Sequence, residues 1–363
     1  MLILHIFTNH ACRRVERYAA AVMLGLHEAG VTQTILMPPG KSRFGEIRAA
    51  GVMIESRPLP AGPRVWQHFS LRRLIGRLRP NVIHCWTRTA AQALPPCDIP
   101  VIAWLGGEDD PLHFPLANYF VGVTPHIAAH LVNHNVPRAN IRFIPVFSTM
   151  KPSPPLERNR LATPSTAKVL LNLSSLQPAS RLDLLLKTLC DLPDCILWLA
   201  GQGPLRRELE AQARDTGVGD RVRFVEPGLD RGALLRTADL CVLTAPDESL
   251  GAIMQDSWTT GTPLIICGYS DDMRTNENDA GFLVADPSTL THAIRRVLVE
   301  EDVRRHLVGQ GYANGHSFYT RSSVIQQWAE FYRKISIQHS SIGIREEKGS
   351  IKDMFPRMLN ADP

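Results

Sequence analysis

Short apolar runs rich in β-branched residues alternate along the chain with stretches whose apolar residues recur every three to four positions. In the first half the runs fall at residues 2–8, 34–37, 52–55, 82–86, 101–104 and 119–123. Runs of this length, separated by helical stretches, predict parallel strands joined by crossover helices. Between the first two runs, Val15, Ala19, Val22, Leu26 and Ala29 recur at helical spacing before Gly30 ends the helix. The chain therefore opens as strand, loop, helix.

From residue 150 to 167 the periodicity is lost and proline and polar residues dominate, which is the composition of a linker. A second alternating series follows, with expected strands at 169–173, 196–200, 222–225, 240–243 and 263–267. After residues 281–284 come long helical stretches to about residue 336, then a polar tail to Pro363 with no core pattern. The expected organisation is a first domain over 1–150, a linker over 151–167, a second domain over 168–320, a terminal helix over 321–336 and a tail over 337–363. The fold class is α/β, with two Rossmann-like, doubly wound domains facing a central cleft. Open α/β sheets bind ligands at the carboxyl ends of their strands, so the cleft is the expected site.

Composition narrows the classes. A chain of 363 residues is long enough for two such domains, and 44% hydrophobic with 21% charged residues is globular. Seven scattered cysteines without a CxxC pair indicate neither a disulfide framework nor a zinc site, so a reducing cytosol is expected. The N-terminus lacks a basic signal-peptide region, and no stretch is apolar for long enough to span a bilayer. The net charge of +5 suits phosphate-bearing ligands or an anionic membrane surface. Nucleic acid is the weaker reading, because no zinc-finger or RNP-like motif accompanies the charge. Residues 64–79 hold five arginines and no acid among Val65, Trp66, Phe69, Leu71, Leu74, Ile75 and Leu78. That run reads either as a crossover helix with a solvated basic face or as a helix resting on anionic lipid, peripheral to the inner face of the membrane.

The chemistry is concentrated in the segment DESLGAIMQDSW, residues 247–258. Glu248 and Asp256 are separated by seven residues, with Gly251 between them at an expected helix N-terminus, where backbone N–H groups favour phosphate. An acidic side chain suits acceptance from vicinal hydroxyls. The segment resembles the E-x7-E motif of the family-4 retaining glycosyltransferases. Three further stretches are similar to that family in order and spacing. They are Gly201-Gln202-Gly203-Pro204 with Leu205 and Leu209, the strand at Arg221-Val222-Arg223-Phe224, and Ala238-Asp239 leading into residues 240–243. In the first half, Ile83-His84-Cys85-Trp86 and Leu105-Gly106-Gly107-Glu108 resemble strand ends on the acceptor side. There Arg88 and Glu108 would face acceptor hydroxyls or phosphates, while His84 reads equally as a buried core histidine.

The resemblance implies a GT-B fold, a nucleoside diphosphate sugar as donor, a glycan or lipid-linked acceptor, and no metal or other cofactor. Glu248 would position the donor sugar as the catalytic residue, and Asp256 would hold the ribose. Ser249, Leu250, Gly251, Gly201 and Gly203 would lie along the donor. Where the family carries an Arg and a Lys against the diphosphate, this chain has Ser175 and Ser180, with Arg181 one residue late. Where the family has a Gly-Gly pair after the first strand, it has Arg13-Arg14, which would bring charge to the diphosphate from the opposite domain. Where many relatives place a histidine after the fifth strand, it has Leu105. The expected activity is retaining hexosyl transfer of polysaccharide or lipopolysaccharide type. Two other readings stand beside it: a catalytically weak or inactive relative that binds a sugar nucleotide or a partner transferase, and a GT-B epimerase or phosphorylase.

Overall fold

The computed structural model describes residues 1–7, 13–38, 44–56, 64–244, 250–268, 281–316 and 319–346. Apolar runs become strands buried on both faces, as parallel sheets require when helices cover them on either side. The first sheet contains β1 (Leu2–Ile6), β2 (Thr32–Met37), β3 (Met53–Ser56), β4 (Val82–Cys85), β5 (Val101–Leu105), β6 (Tyr119–Gly122) and β7 (Ile141–Phe143). Its order is β3-β2-β1-β4-β5-β6-β7, all parallel. The edge strand β7 was not expected from the sequence. It is three residues long, none of them fully buried, so it carries no continuous apolar run.

Helices α1 (Arg13–Glu28), α2 (Gly45–Ala49), α3 (Arg64–Leu78), α4 (Arg88–Gln92) and α5 (Pro125–Asn133) connect these strands. Several starts are written locally. Thr87 caps α4 by accepting from the Ala90 N–H, and Thr124 caps α5 by accepting from Ile127, with Pro125 in the first helical position.

The second sheet has the order β10-β9-β8-β11-β12-β13. Its strands are β8 (Lys168–Asn172), β9 (Cys195–Leu199), β10 (Val222–Phe224), β11 (Leu240–Leu243), β12 (Leu264–Cys267) and β13 (Leu283–Ala285). The covering helices are α6 (Leu182–Cys190), α7 (Arg206–Asp215), α8 (Arg231–Thr237), α9 (Leu250–Thr260), α10 (Leu290–Val299) and α11 (Glu301–His316). In both sheets the strand order reverses beside the first strand, which places a crevice at the carboxyl ends there.

Helix α12 (Arg321–Glu346) runs ten residues past the 336 expected from the sequence and returns to the first domain. Val324, Ile325, Trp328, Tyr332 and Ile335 are buried in the core of the first sheet. Its contact with α1 is close enough that a Cβ on Gly25 would meet Ile325 Cγ1 at 2.6 Å. Tyr332 reaches His84, with its hydroxyl 2.6 Å from Nδ1. His84 is fully buried and stacks on Trp86 at 4.2 Å between ring centroids. Trp86 in turn donates to His5 Nδ1. Burial holds both histidines neutral, with His5 lowered to about 3 and His84 also well below its ordinary value. Of the two readings of His84, the structure gives the core one.

Candidate active site

On the second sheet, two loops leave the carboxyl ends of β8 and β9 and lie directly on one another. A Cβ on Gly201 would sit 1.9 Å from the Ser174 carbonyl oxygen, and one on Gly203 would sit 2.2 Å from the Leu176 carbonyl oxygen. Only glycine permits this approach of backbone to backbone. The contact is fastened by Leu176 N–H donating to the Gln202 carbonyl at 3.0 Å and Leu205 N–H donating to the Leu176 carbonyl at 3.1 Å. The spacing of Gly201 and Gly203 is thus explained by loop packing as such.

Ser175 is partly buried in this loop and Ser180 is almost wholly buried. The Ser180 carbonyl accepts from Thr244 Oγ1 at 2.6 Å, which ties the loop to the end of β11. Arg181 follows with φ +47° and ψ +44°, a left-handed conformation that suits glycine better. Its side chain is exposed, and its charge reaches the carboxyl end of β12. There burial, partly offset by Arg181, pushes the Cys267 thiol up to about 11.

Glu248 and Ser249 lie outside the described residues. Leu250 is buried in the first turn of α9, and Gly251 marks where the two domains meet. A Cβ on Gly251 would meet Val146 Cγ2 at 3.2 Å and Val123 Cγ2 at 3.4 Å, both from the first domain. Ala252 likewise packs on the first core. Two turns into α9, the Asp256 side chain is 5% exposed. One carboxylate oxygen accepts from Ser148 Oγ at 2.8 Å and the other from Arg231 Nη2 at 2.5 Å. Ser148 stands on the segment that crosses from β7 to β8, and Arg231 opens α8.

A buried carboxylate needs such a counter-charge, because neutral surroundings alone would not offset its desolvation. Nothing in the sequence links Arg231 or Ser148 to Asp256. The pair is joined only when α8 and α9 are laid side by side on the sheet.

From the first domain, α1 begins at Arg13, and the side chains of Arg13 and Arg14 lie outside the described residues. One turn later, Arg17 makes itself felt across the cleft at Asp230. Burial pushes that carboxyl up, but hydrogen bonds from Ser153, Ala233 and Gly232, together with the Arg17 charge, leave it below its ordinary value. Arg17 of α1 is therefore near enough to the second domain for its charge to act on Asp230.

The carboxyl ends of β4, β5 and β6 carry charged side chains. Arg88 lies 3.9 Å from Asp109, and Glu108 pairs with His126 in the first turn of α5. His130 approaches the Asp109 carbonyl at 3.3 Å. Leu105 is fully buried at the end of β5. The histidine that pairs with Glu108 at these strand ends is His126, which arrives on α5 and was not singled out in the sequence.

Comparison with known proteins decides what kind of cleft this is. A family model described as Glycosyltransferase Family 4 matches residues 15–147, and one described as Glycosyl transferases group 1 matches residues 155–314. The chain carries both domains of a GT-B glycosyltransferase. It is similar to the lipopolysaccharide core biosynthesis glycosyltransferase LpsE of Rhizobium meliloti (strain 1021), with 27% identity over 322 residues. That match covers 87% of this chain and 94% of the relative. In structure, this GT-B chain resembles a glycosyltransferase from Rickettsia africae ESF-5, with TM-score 0.73 and 13% identity over 92% of this chain and 98% of the other. It also resembles Anabaena Alr3699/HepE in complex with UDP-glucose, with TM-score 0.72 and 14% identity over 92% and 100%. Among the described residues, no helix is long and apolar enough to cross a membrane.

Proposed function

We propose that this GT-B protein transfers a hexose, with retention, from a nucleoside diphosphate sugar to a glycan or lipopolysaccharide-type acceptor. The observation that carries the reading is the pairing of the glycine-packed loops after β8 and β9 with the start of α9 in one crevice of the second sheet. Backbone held that close offers N–H groups fixed in place, and a helix N-terminus favours phosphate. The LpsE relative acts in lipopolysaccharide core biosynthesis by its name, and the Anabaena structure contains UDP-glucose.

In this reading Glu248 lies against the donor sugar and Asp256 holds the ribose. Leu250, Ser249 and Gly251 bring helix N–H groups to the diphosphate, Gly201, Gly203 and Ser175 line it, and Arg181, Arg13 and Arg14 neutralise it. The acceptor oxygen bonds to the anomeric carbon as the bond to the diphosphate oxygen breaks. The hydroxyl proton passes to the leaving phosphate on the same face. Arg88 and the Glu108–His126 pair face the acceptor. The protein works in the cytoplasm, and the exposed Phe69, Arg72 and Arg73 of α3 rest on anionic lipid at the inner face of the membrane. Liposome flotation that shows no dependence on anionic lipid would remove the membrane part alone.

One observation favours the weaker relative. Two cations against the leaving group are replaced by serines, and preorganised charge of this kind is worth on the order of 10² to 10³ in rate. The test is a screen for hexose release from UDP- and GDP-hexoses, followed by transfer to lipopolysaccharide-core oligosaccharides. Turnover that disappears in Glu248→Ala supports a transferase. Nucleotide binding without turnover in the native chain, restored by Ser175→Arg with Ser180→Lys, supports the weakened relative.

A further inference from the structure

Asp256 is where the donor reading and the structure meet with most tension. The reading, on which this inference rests, asks both carboxylate oxygens to accept from ribose hydroxyls. Within the protein they are already engaged, one by Ser148 Oγ at 2.8 Å and one by Arg231 Nη2 at 2.5 Å. The two partners differ in kind. Arg231 lies in the same domain as Asp256 and its charge is needed wherever the carboxylate is buried. Ser148 is a neutral donor on the segment between the domains, and its Oγ also accepts from the Met150 N–H at 3.3 Å. A few residues on, Ser153 donates to Asp230 at 2.5 Å, next to Arg231 in sequence. The crossing segment is therefore clasped once to the cap of α8, through Ser153, and once to the middle of α9, through Ser148.

We infer that the nucleotide's ribose and the inter-domain crossing compete for one carboxylate. Arg231 positions Asp256 throughout, while a ribose diol arriving at Asp256 displaces Ser148 and unpins the crossing segment, so that donor binding and domain movement are linked. By linkage, whatever loosens Ser148 tightens the nucleotide, and the nucleotide loosens Ser148. An aspartate suits this exchange: its short reach keeps the carboxylate at the helix surface, where Ser148 and Arg231 already contact it. Arg231 Nε is buried and has no hydrogen-bond partner among the described residues, which leaves one donor of the guanidinium to meet an incoming ligand.

The experiment combines calorimetry with hydrogen exchange on the full chain, using UDP, GDP and their 2′-deoxy forms. Ser148→Ala removes the competing donor and is expected to bind the ribonucleotide about 3- to 10-fold more tightly, the range of one ordinary hydrogen bond. It should leave the deoxy form less affected, and Arg231→Gln should reduce the ribo-over-deoxy preference in the same assay. Amides of residues 147–151 should exchange faster in ligand-free Ser148→Ala, and equally fast in the native protein once nucleotide is bound. Binding with unchanged exchange there, or unchanged affinity in Ser148→Ala, overturns the linkage and leaves the donor reading standing. A native chain that binds neither UDP nor GDP overturns the donor reading and the linkage with it.

Discussion

The two sheets end in different kinds of surface. At the carboxyl ends of β8 and β9, backbone lies on backbone with no space for a methyl group at Gly201 or Gly203. At the ends of β4, β5 and β6, the groups that emerge are side-chain pairs in contact with water, Arg88 with Asp109 and Glu108 with His126. A backbone surface holds one geometry and cannot adapt; a surface of long side chains rearranges at little cost. The difference suits a cleft in which one wall meets a fixed chemical group and the other meets ligands that vary.

The largest expected effect breaks the rigid wall. Gly201→Ala or Gly203→Ala must displace the loop at 174–176 or its partner, at a cost of about 3 kcal/mol by analogy with overpacked cores. Chemical denaturation would show it, and nucleotide binding should fall in parallel. Equal mutations at Gly45 or Gly76, where an added Cβ meets nothing within 4 Å, should leave the second domain unchanged.

Acid should act first on the other domain. His5 and His84 have folded-state values below the unfolded 6.5, so the unfolded chain binds protons that the folded chain refuses. Stability is then full above that value and is lost as pH falls through it, for His5 down to about 3. Between about pH 7 and pH 5 His5 should cost roughly 2 kcal/mol, and His84 acts in the same direction. Urea titrations at the two pH values check this. Replacing His5 by Gln should flatten the dependence. Because α12 packs on these histidines through Tyr332, its amides should lose protection from exchange before those of α9.

Smaller and of opposite signs are the effects expected at Arg181. Its left-handed backbone is relieved by glycine, so Arg181→Gly should stabilise the fold by about 0.5–1 kcal/mol while lowering affinity for a nucleoside diphosphate. Thermal melts and calorimetry on the same sample separate the two. A loss in both would place the residue in a structural role only. Smallest is the change in stability from Arg88→Ala, under about 0.5 kcal/mol, since its pairing with Asp109 is long and solvated. Transfer to the acceptor should suffer instead.

The same contrast explains what the sequence disclosed. Long apolar runs with crossover spacing announced both sheets, because strands buried on two faces leave a continuous signature; the short edge strand β7 left none. Gly201 and Gly203 were visible as a motif, yet their reason, a carbonyl oxygen at van der Waals distance or less from any side chain, appears only in three dimensions. Arg231, Ser148 and His126 were missed because each acquires its partner from a distant segment. The end of α12 was misplaced because the apolar pattern that marks the helix weakens past residue 336, whereas the helix continues and His339 pairs with the Asp98 carbonyl.

The division of labour between the two walls is tested most directly by calorimetric titration of UDP and GDP into one variant of each. Asp256→Ala is expected to weaken the preferred nucleotide about tenfold or more, as a hydrogen bond to a charged group is lost, and Glu108→Ala to leave it unchanged. Loss of nucleotide binding in Glu108→Ala with full binding in Asp256→Ala would contradict the account.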